Sequence, residues 1–341
     1  EIYNYKQLFE KIKVSPQTNS DCEVILQLYN MLGAQCFNLL DGVFGCVLYD
    51  KETNEVILSR DPYGVRPLYL CYYKNNNIGI SSDIKPLLFD KNINKIQKFT
   101  QGTYAIIKNN QIMVHEQNFF NISYLPLEQE KPIEYYMFNA LTYLKKAIYK
   151  RVHNCEREVA CLLSGGLDSS IISAYVSRFY KEKTGNQIET YSIGLEGAED
   201  LKYASLVSKH INSIHHDIIF TNDKFLKSIP SVIKDIETYD TTTVRASVGN
   251  WNIGKYISEN SLAKVIFNGD GADELMGGYM YFHCAPNNDE FHKENLRLLK
   301  DINNFDVLRS DKSISSHGLE PRTPFLDKEF TKYYLSIPIH Y

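Results

Sequence analysis

The sequence predicts two domains of different class, an α+β half built on antiparallel strands and then an α/β half built on parallel ones. Three observations carry this expectation. The chain has 341 residues, about twice the usual single-domain length. Up to about residue 118 its apolar residues fall in short runs separated by turn formers. After residue 134 helix-like and strand-like segments alternate, the rhythm of parallel strands joined by helical crossovers.

In the first half, Ser20-Asp21-Cys22-Glu23 has capping-box spacing and leads into Val24, Ile25, Leu28, Tyr29 and Leu32, a helical repeat. Strands are expected over Val43–Tyr49, Glu55–Ser59, Leu68–Tyr73, Ile78–Ser82, Thr103–Ile107 and Ile112–His115. Lys51-Glu52-Thr53-Asn54, Asn75-Asn76-Asn77 and Asn109-Asn110 between them favour hairpins. A polar, proline-containing stretch over Leu125–Pro132 breaks the pattern and reads as a linker. Helices then follow over Tyr135–Val152, Ile171–Tyr180 and Leu201–Ile211, interleaved with strands over Val159–Leu163, Thr190–Leu195 and His216–Phe220. Lys264–Phe267 reads as a further buried strand. The boundaries are set at 1–123, 124–133 for the linker, and 134–341.

Composition narrows the function. A formal charge of −4, from 37 basic and 41 acidic residues, leaves no positive surplus to neutralise a nucleic-acid backbone. The seven cysteines are odd in number, irregularly spaced and without C-x-x-C, which fits a reducing compartment and hence the cytoplasm. No apolar stretch approaches the roughly 18 residues that cross a bilayer, so no membrane role is expected. His210, His215 and His216 lack metal-site spacing and read as structural.

The sharpest chemical signal is Ser164-Gly165-Gly166-Leu167-Asp168-Ser169-Ser170, set between a buried strand and a helix. There, backbone N–H groups and the helix dipole converge on an anion-sized spot, and the glycines let a phosphate approach closely. The hydroxyls of Ser164, Ser169 and Ser170 add donors, and Asp168 suits a hard cation such as Mg²⁺. The plainer alternative is a tight turn with Ser169 or Ser170 as helix cap.

This loop resembles the pyrophosphate-binding loop of the ATP pyrophosphatases. Within them the chain is similar to the glutamine-dependent asparagine synthetase family almost throughout. The matching stretches are Glu1-Ile2-Tyr3-Asn4, Ser20–Glu23, Arg60–Tyr69, Ile236–Asp240, Thr242–Ser247, Asp273–Tyr279 and Pro321–Asp327. The resemblance implies an Ntn-hydrolase-type antiparallel αββα glutaminase at 1–123. At 134–341 it implies a parallel α/β ATP pyrophosphatase domain, adenine nucleotide α-hydrolase-like.

It also implies a reaction: aspartate attacks the α phosphate of ATP, pyrophosphate leaves, and ammonia from glutamine, moving inside the protein, displaces AMP to give asparagine. Carried over by motif, Ser164, Gly165, Gly166, Asp168, Ser169 and Ser170 hold pyrophosphate, while Leu162, Ile193 and Gly269 flank the nucleoside. Asp168 and Asp273 hold Mg²⁺, and Asp270 joins them as a catalytic carboxylate. Thr242, Thr243 and Arg245 bind aspartate, Arg245 through its two-pronged guanidinium; the rival for Arg245 is an ion pair with Asp240 or Glu237. Glu1 and Asp21 hold the two ends of glutamine, with helix capping as the rival for Asp21. ATP and Mg²⁺ are the expected cofactors, aspartate and glutamine or ammonia the partners, and a homodimer is allowed.

The sequence departs from the family pattern in three places. It lacks the N-terminal cysteine nucleophile and stops before a family lysine near the ATP site, so truncation at both ends is expected. Asn268-Gly269-Asp270-Gly271-Ala272-Asp273-Glu274 stands where Ser-Gly-Glu-Gly-Ser-Asp-Glu is usual, making Asp270 one methylene short. Two rival functions follow: a β-lactam-synthetase-like ligase, and a non-catalytic nucleotide-binding paralogue.

Overall fold

The computed structural model describes residues 1–124 and 129–341; the first four residues of the expected linker stretch, 125–128, lie outside them. The described chain divides into two compact units, Glu1–Ile122 and Ser123–Tyr341.

The first unit opens with helices α1 (Tyr5–Ile12) and α2 (Glu23–Leu32). Seven strands follow: β1 (Gly45–Asp50), β2 (Glu55–Arg60), β3 (Tyr69–Tyr73), β4 (Ile78–Ser81), β5 (Ile93–Lys98), β6 (Thr103–Lys108) and β7 (Gln111–Asn118). They form a four-stranded sheet in the order β1-β2-β6-β7 and a three-stranded sheet in the order β4-β3-β5, antiparallel throughout. Alternation along β2 explains the layering. Ile57 packs with Leu8, Phe9, Val24 and Leu28 of the helices, whereas its neighbour Leu58 packs with Leu70 of β3 and with Leu68 and Phe99, which flank β3 and β5 of the other sheet.

Two expectations for this unit change. The capping box at Ser20–Glu23 does not form, because the preceding loop offers nearer donors: the Glu23 carboxylate accepts from the Gln17 and Thr18 amides at 2.8 and 2.7 Å and from the Thr18 hydroxyl at 2.6 Å. β5 escapes the sequence reading because its residues, Ile-Asn-Lys-Ile-Gln-Lys, are mostly polar; its register on β3 supplies what its composition lacks. The Arg60–Tyr69 motif proves to be a folding staple. Arg60, 1% exposed, donates to the Arg66, Phe99 and Gly64 carbonyls at 2.7, 2.8 and 2.7 Å. Asp61 beside it accepts the Phe44, Tyr63, Val65 and Arg66 amides.

The second unit runs α3 (Ile133–His153), β8 (Val159–Leu162), α4 (Leu167–Thr184), β9 (Glu189–Leu195), α5 (Glu199–Ile211), β10 (Ile214–Phe220), α6 (Asn222–Ile236) and α7 (Thr241–Asn260). It continues through β11 (Val265–Phe267), α8 (Ala272–Met276), α9 (Asn288–Asp301), α10 (Asp306–Ser315), β12 (Glu320–Arg322) and α11 (Lys328–Tyr334). The sheet is parallel, in the order β10-β9-β8-β11-β12. The chain builds outward from β8 to β10, then returns to the other side of β8 with β11. That reversal opens a crevice beyond the carboxyl ends of β8 and β11, where open α/β sheets bind ligands. Among the described residues, no helix is long and apolar enough to cross a membrane.

Candidate active site

The phosphate-loop motif leaves the carboxyl end of β8 and closes on itself before α4. The Ser164 and Ser169 hydroxyls lie 3.0 Å apart, the Ser164 amide donates to Ser169 Oγ at 3.2 Å, and Ser169 Oγ donates to the Gly166 carbonyl at 3.2 Å. Gly166 is the N-cap of α4 without a side-chain cap, so the first-turn amides of this 18-residue helix face outward. Gly165 is obligatory here. Its φ is +83°, and a Cβ would stand 2.4 Å from Tyr203 Cβ and 2.5 Å from the Ala204 nitrogen on α5. Gly269, after β11, makes a tight but less severe approach, since a Cβ there would lie 3.1 Å from Asp168 Cβ and from the Ser169 nitrogen.

Between the two loops is a cavity of about 270 Å³ lined by Leu162, Ser164, Gly166, Asp168 and Ser169 on one side and by Gly269, Asp270, Asp273 and Glu274 on the other. Asn250, Asn268, Tyr279, Asp306 and Arg309 complete its wall. Five carboxyl groups thus meet the single guanidinium of Arg309. Arg309 contacts Asp270 at 3.0 Å and Asp306 at 2.8 Å. Among the described residues no donor is bonded to the Asp168 or Asp273 carboxylate. Burial, and then the Asp273 charge, raise the Asp168 carboxyl above the ordinary range; burial, and then Asp306, do the same to Asp273. Glu274, 3% exposed, accepts from the Tyr279 hydroxyl and is pushed up to about 8, first by burial and then by Asp306.

Among the described residues no three His, Cys, Asp or Glu side chains group closely enough to hold a metal by themselves, but the Asp168–Asp273 pair beside the glycine cradle fits a hard cation that takes its remaining ligands from phosphate and water. The residues present therefore fit Mg²⁺ with a nucleotide.

Glu274 predicts a pH effect. An unfolded glutamate titrates near 4.5, so between pH 4.5 and 8 the folded state holds a proton that the unfolded chain has lost. The stability this contributes is complete below 4.5 and drains away as pH rises through 8. Glu274→Gln is expected to flatten the fall of the urea midpoint across that window, removing a slope of up to about 1.4 kcal/mol per pH unit; an unchanged pH profile would contradict the shift.

Not every residue singled out in the sequence lines this cavity. Gly165 shapes the loop from behind, and the Ser170 hydroxyl is buried without a partner. Ile193 packs toward Gly249 of α7, 3.8 Å from where a Cβ there would lie. The Thr242–Arg245 segment forms the first turns of α7. Thr243 is buried with its hydroxyl donating to Asp240 at 2.7 Å, Thr242 is exposed, and Arg245 lines a separate, mainly apolar groove with Phe225, Leu226, Ile229 and Val248. The ion-pair rival for Arg245 finds no support, since Asp240 caps α7 and Glu237 bonds Lys312 at 2.8 Å.

The sequence reading missed Asp306, Arg309 and Tyr279 as cavity residues. Asp306 and Arg309 stand three apart, hence on one face of α10, a legible signal; that the face meets β11's loop was not legible.

In the first unit, Ile2 donates to Asp21 Oδ2 at 2.5 Å. Val43 donates to the Glu1 carbonyl at 2.9 Å. A Cβ on Gly42 would fall 2.1 Å from that carbonyl, so only glycine fits. Asp21 is thus used to pin the segment carrying Glu1, and α2 begins without a side-chain cap.

A model of the asparagine synthase family matches residues 140–290 and 284–341, well over half of the chain. The chain belongs to the asparagine synthase family. A glutamine amidotransferase domain model matches residues 1–134. Among asparagine synthase relatives, the glutamine-hydrolyzing asparagine synthetase of Gallus gallus is 40% identical over 358 aligned positions, covering 99% of this chain and 64% of the relative. Those of Rattus norvegicus and Homo sapiens are each 39% identical over the same extents. The chain therefore spans 64% of the length of these relatives. Among solved structures, an NH3-dependent NAD synthetase from Campylobacter jejuni is similar at a TM-score of 0.29 and 21% identity, covering 42% of this chain and 60% of that one. An NAD+ synthetase from Burkholderia pseudomallei gives 0.30 and 13%, covering 58% and 82%. At these scores neither bears on the site.

Proposed function

We propose that this chain carries the aspartate-activating and glutamine-binding parts of a glutamine-hydrolysing asparagine synthetase. One observation carries the reading: the amino end of α4 with its serine-glycine loop and the paired carboxyls Asp168 and Asp273 face a common crevice at the switch point of a parallel sheet. That arrangement supports inner-anhydride cleavage of ATP, in which leaving pyrophosphate must be gripped. Family membership and the identity to the asparagine synthetases support the substrate.

In this reading residues 1–123 are the glutaminase, 124–133 the linker and 134–341 the synthetase. The helix–sheet–sheet stacking of the first unit is read as part of an Ntn-type αββα sandwich, and the second unit as an ATP pyrophosphatase domain. The α4 amides and the Ser164 and Ser169 hydroxyls donate to pyrophosphate oxygens, while Leu162, Ile193 and Gly269 border the nucleoside. Asp168 and Asp273 would hold Mg²⁺, which would offset phosphate charge as pyrophosphate leaves. The aspartate side-chain carboxylate attacks the α phosphorus, breaking its bond to the β-phosphate oxygen and leaving an acyl adenylate. Ammonia then attacks the acyl carbon and AMP departs. Thr242 and Arg245 would orient aspartate, with Thr243 holding the turn; Glu1 and Asp21 would bind glutamine.

Incubation of the chain with ATP, aspartate and ammonium or glutamine, followed by mass spectrometry, tests the reading. AMP, pyrophosphate and asparagine are expected. ADP as the nucleotide product, or AMP without asparagine, would overturn it.

A further inference from the structure

We propose that the buried pair Glu237–Lys312 is a positioning strut that fixes the acid-binding turn of α7 relative to the nucleotide cavity. This deepens, and rests on, the reading above. Lys312 Nζ meets Glu237 Oε2 at 2.8 Å with the two side chains 5% and 2% exposed, an ion pair held out of water.

Glu237 occupies its place at a conformational cost. It ends α6 at φ +58°, in the left-handed region. Of the seven described non-glycine residues with positive φ, five are asparagines, which tolerate it, and Lys13 is exposed. Glu237 alone combines that backbone with a buried charge. A residue retained against both penalties is there for what its side chain reaches.

What it reaches joins two functional segments. Three residues after Glu237, Asp240 caps α7 by accepting the Thr243 amide at 2.8 Å and the Thr243 hydroxyl at 2.7 Å. The corner between α6 and α7 therefore has little slack, and its position sets that of Thr242 and Arg245. At the other end, Lys312 lies one helical turn beyond Arg309, whose guanidinium reaches Asp270 and Asp306 in the cavity wall. Asn268, in the same loop as Asp270, donates to Ser310 at 2.6 Å. The ion pair thus ties the α6–α7 corner to the helix that supports the cavity loop. It touches no reacting atom and acts through the placement of both.

The test compares Glu237→Gln, Lys312→Met and the charge-exchanged double variant Glu237→Lys/Lys312→Glu with the unaltered chain in aspartate-dependent ATP–pyrophosphate exchange. Both single variants are expected to raise KM for aspartate by about tenfold while KM for ATP stays within about twofold, with the double variant recovering part of the loss. A merely structural pair would lower the saturated rate through loss of folded protein and leave both KM values unchanged; that outcome, or a parallel rise in both KM values, overturns the proposal. If the unaltered chain exchanges no pyrophosphate with aspartate, the acid-activation reading fails, and the strut is read by amide hydrogen exchange instead. Glu237→Gln is then expected to speed exchange across residues 241–245 and spare 165–170, and uniform or absent change overturns it.

Discussion

Asp168→Asn is expected to lower aspartate-dependent ATP–pyrophosphate exchange by about 10²–10³-fold, the range seen when one charge-stabilising group is removed from a preorganised site, without lowering the melting temperature. The two halves of this expectation have opposite physical origins. In the folded chain the Asp168 carboxyl is half-buried, faces Asp273, and is raised above its ordinary range by burial and then by that neighbour's charge. At neutral pH its ionised form therefore opposes folding, and a neutral amide of the same shape relieves the strain. Under the proposed function the activity loses an anionic oxygen that would face a hard cation beside the glycine-serine loop. Exchange kinetics and a thermal melt on the same preparation decide the matter. A variant that loses activity and stability together would make Asp168 a structural residue of α4, and a variant with full activity would remove it from the site. Asp273→Asn should follow the same pattern, because burial and Asp306 raise it similarly.

The loop from Ser164 to Ser170 was legible because its chemistry is local: strand, glycines and helix start are consecutive, and the fold need only bring them to the end of β8. Four strands of the parallel sheet were legible for the same reason, as each carries a short apolar run; β12 was not, because Glu320-Pro321-Arg322 is polar and becomes a strand only by pairing with β11. What was not legible depends on distant approach. Nothing in Asp306-Val307-Leu308-Arg309 announces that Arg309 will hold Asp270, thirty-nine positions away, since that contact is made only when α10 packs against α7 and β12 and so reaches the loop after β11. Thr243 shows the converse. Its motif marks it for a ligand, yet the Asp240 carboxylate three residues earlier takes its hydroxyl. The capping alternative for Asp21 rested on proximity to α2, whereas the partner it takes, the Ile2 amide, lies nineteen positions upstream. Local patterns name the groups, and tertiary contacts decide which of them remain available.

Pro321–Asp327 makes that distinction measurable, because a stretch that matches the family pattern is here architectural. Asp327, 2% exposed, accepts from Arg151 at 2.6 Å and Lys150 at 2.5 Å, both from the last turn of α3, and its other oxygen caps α11 through the Glu329 and Phe330 amides at 3.1 and 3.3 Å. Arg322 of the same motif is 1% exposed and binds Glu320 and the Arg151 carbonyl. The motif therefore locks β12 and α11 against α3, and none of its side chains lines the cavity between the β8 and β11 loops. Removing one partner of such a buried pair leaves an uncompensated charge, which costs about 3–5 kcal/mol. Asp327→Asn is accordingly expected to destabilise the second unit by that amount in urea unfolding, through the stranded Arg151 more than through the cap, which an amide oxygen still serves. Arg151→Met with Asp327→Leu, which removes the two fully buried charges and leaves only the part-exposed Lys150 to turn toward solvent, should cost less than either single change. The Asp327 carboxyl is held below its usual range by Arg151 and Lys150 against the opposing effect of burial, so its contribution is present above the ordinary carboxylate range and is lost as pH falls through the depressed value. Where Asp327→Asn remains folded, KM for ATP should match that of the unaltered chain; a selective loss of nucleotide affinity would return the motif to the active site.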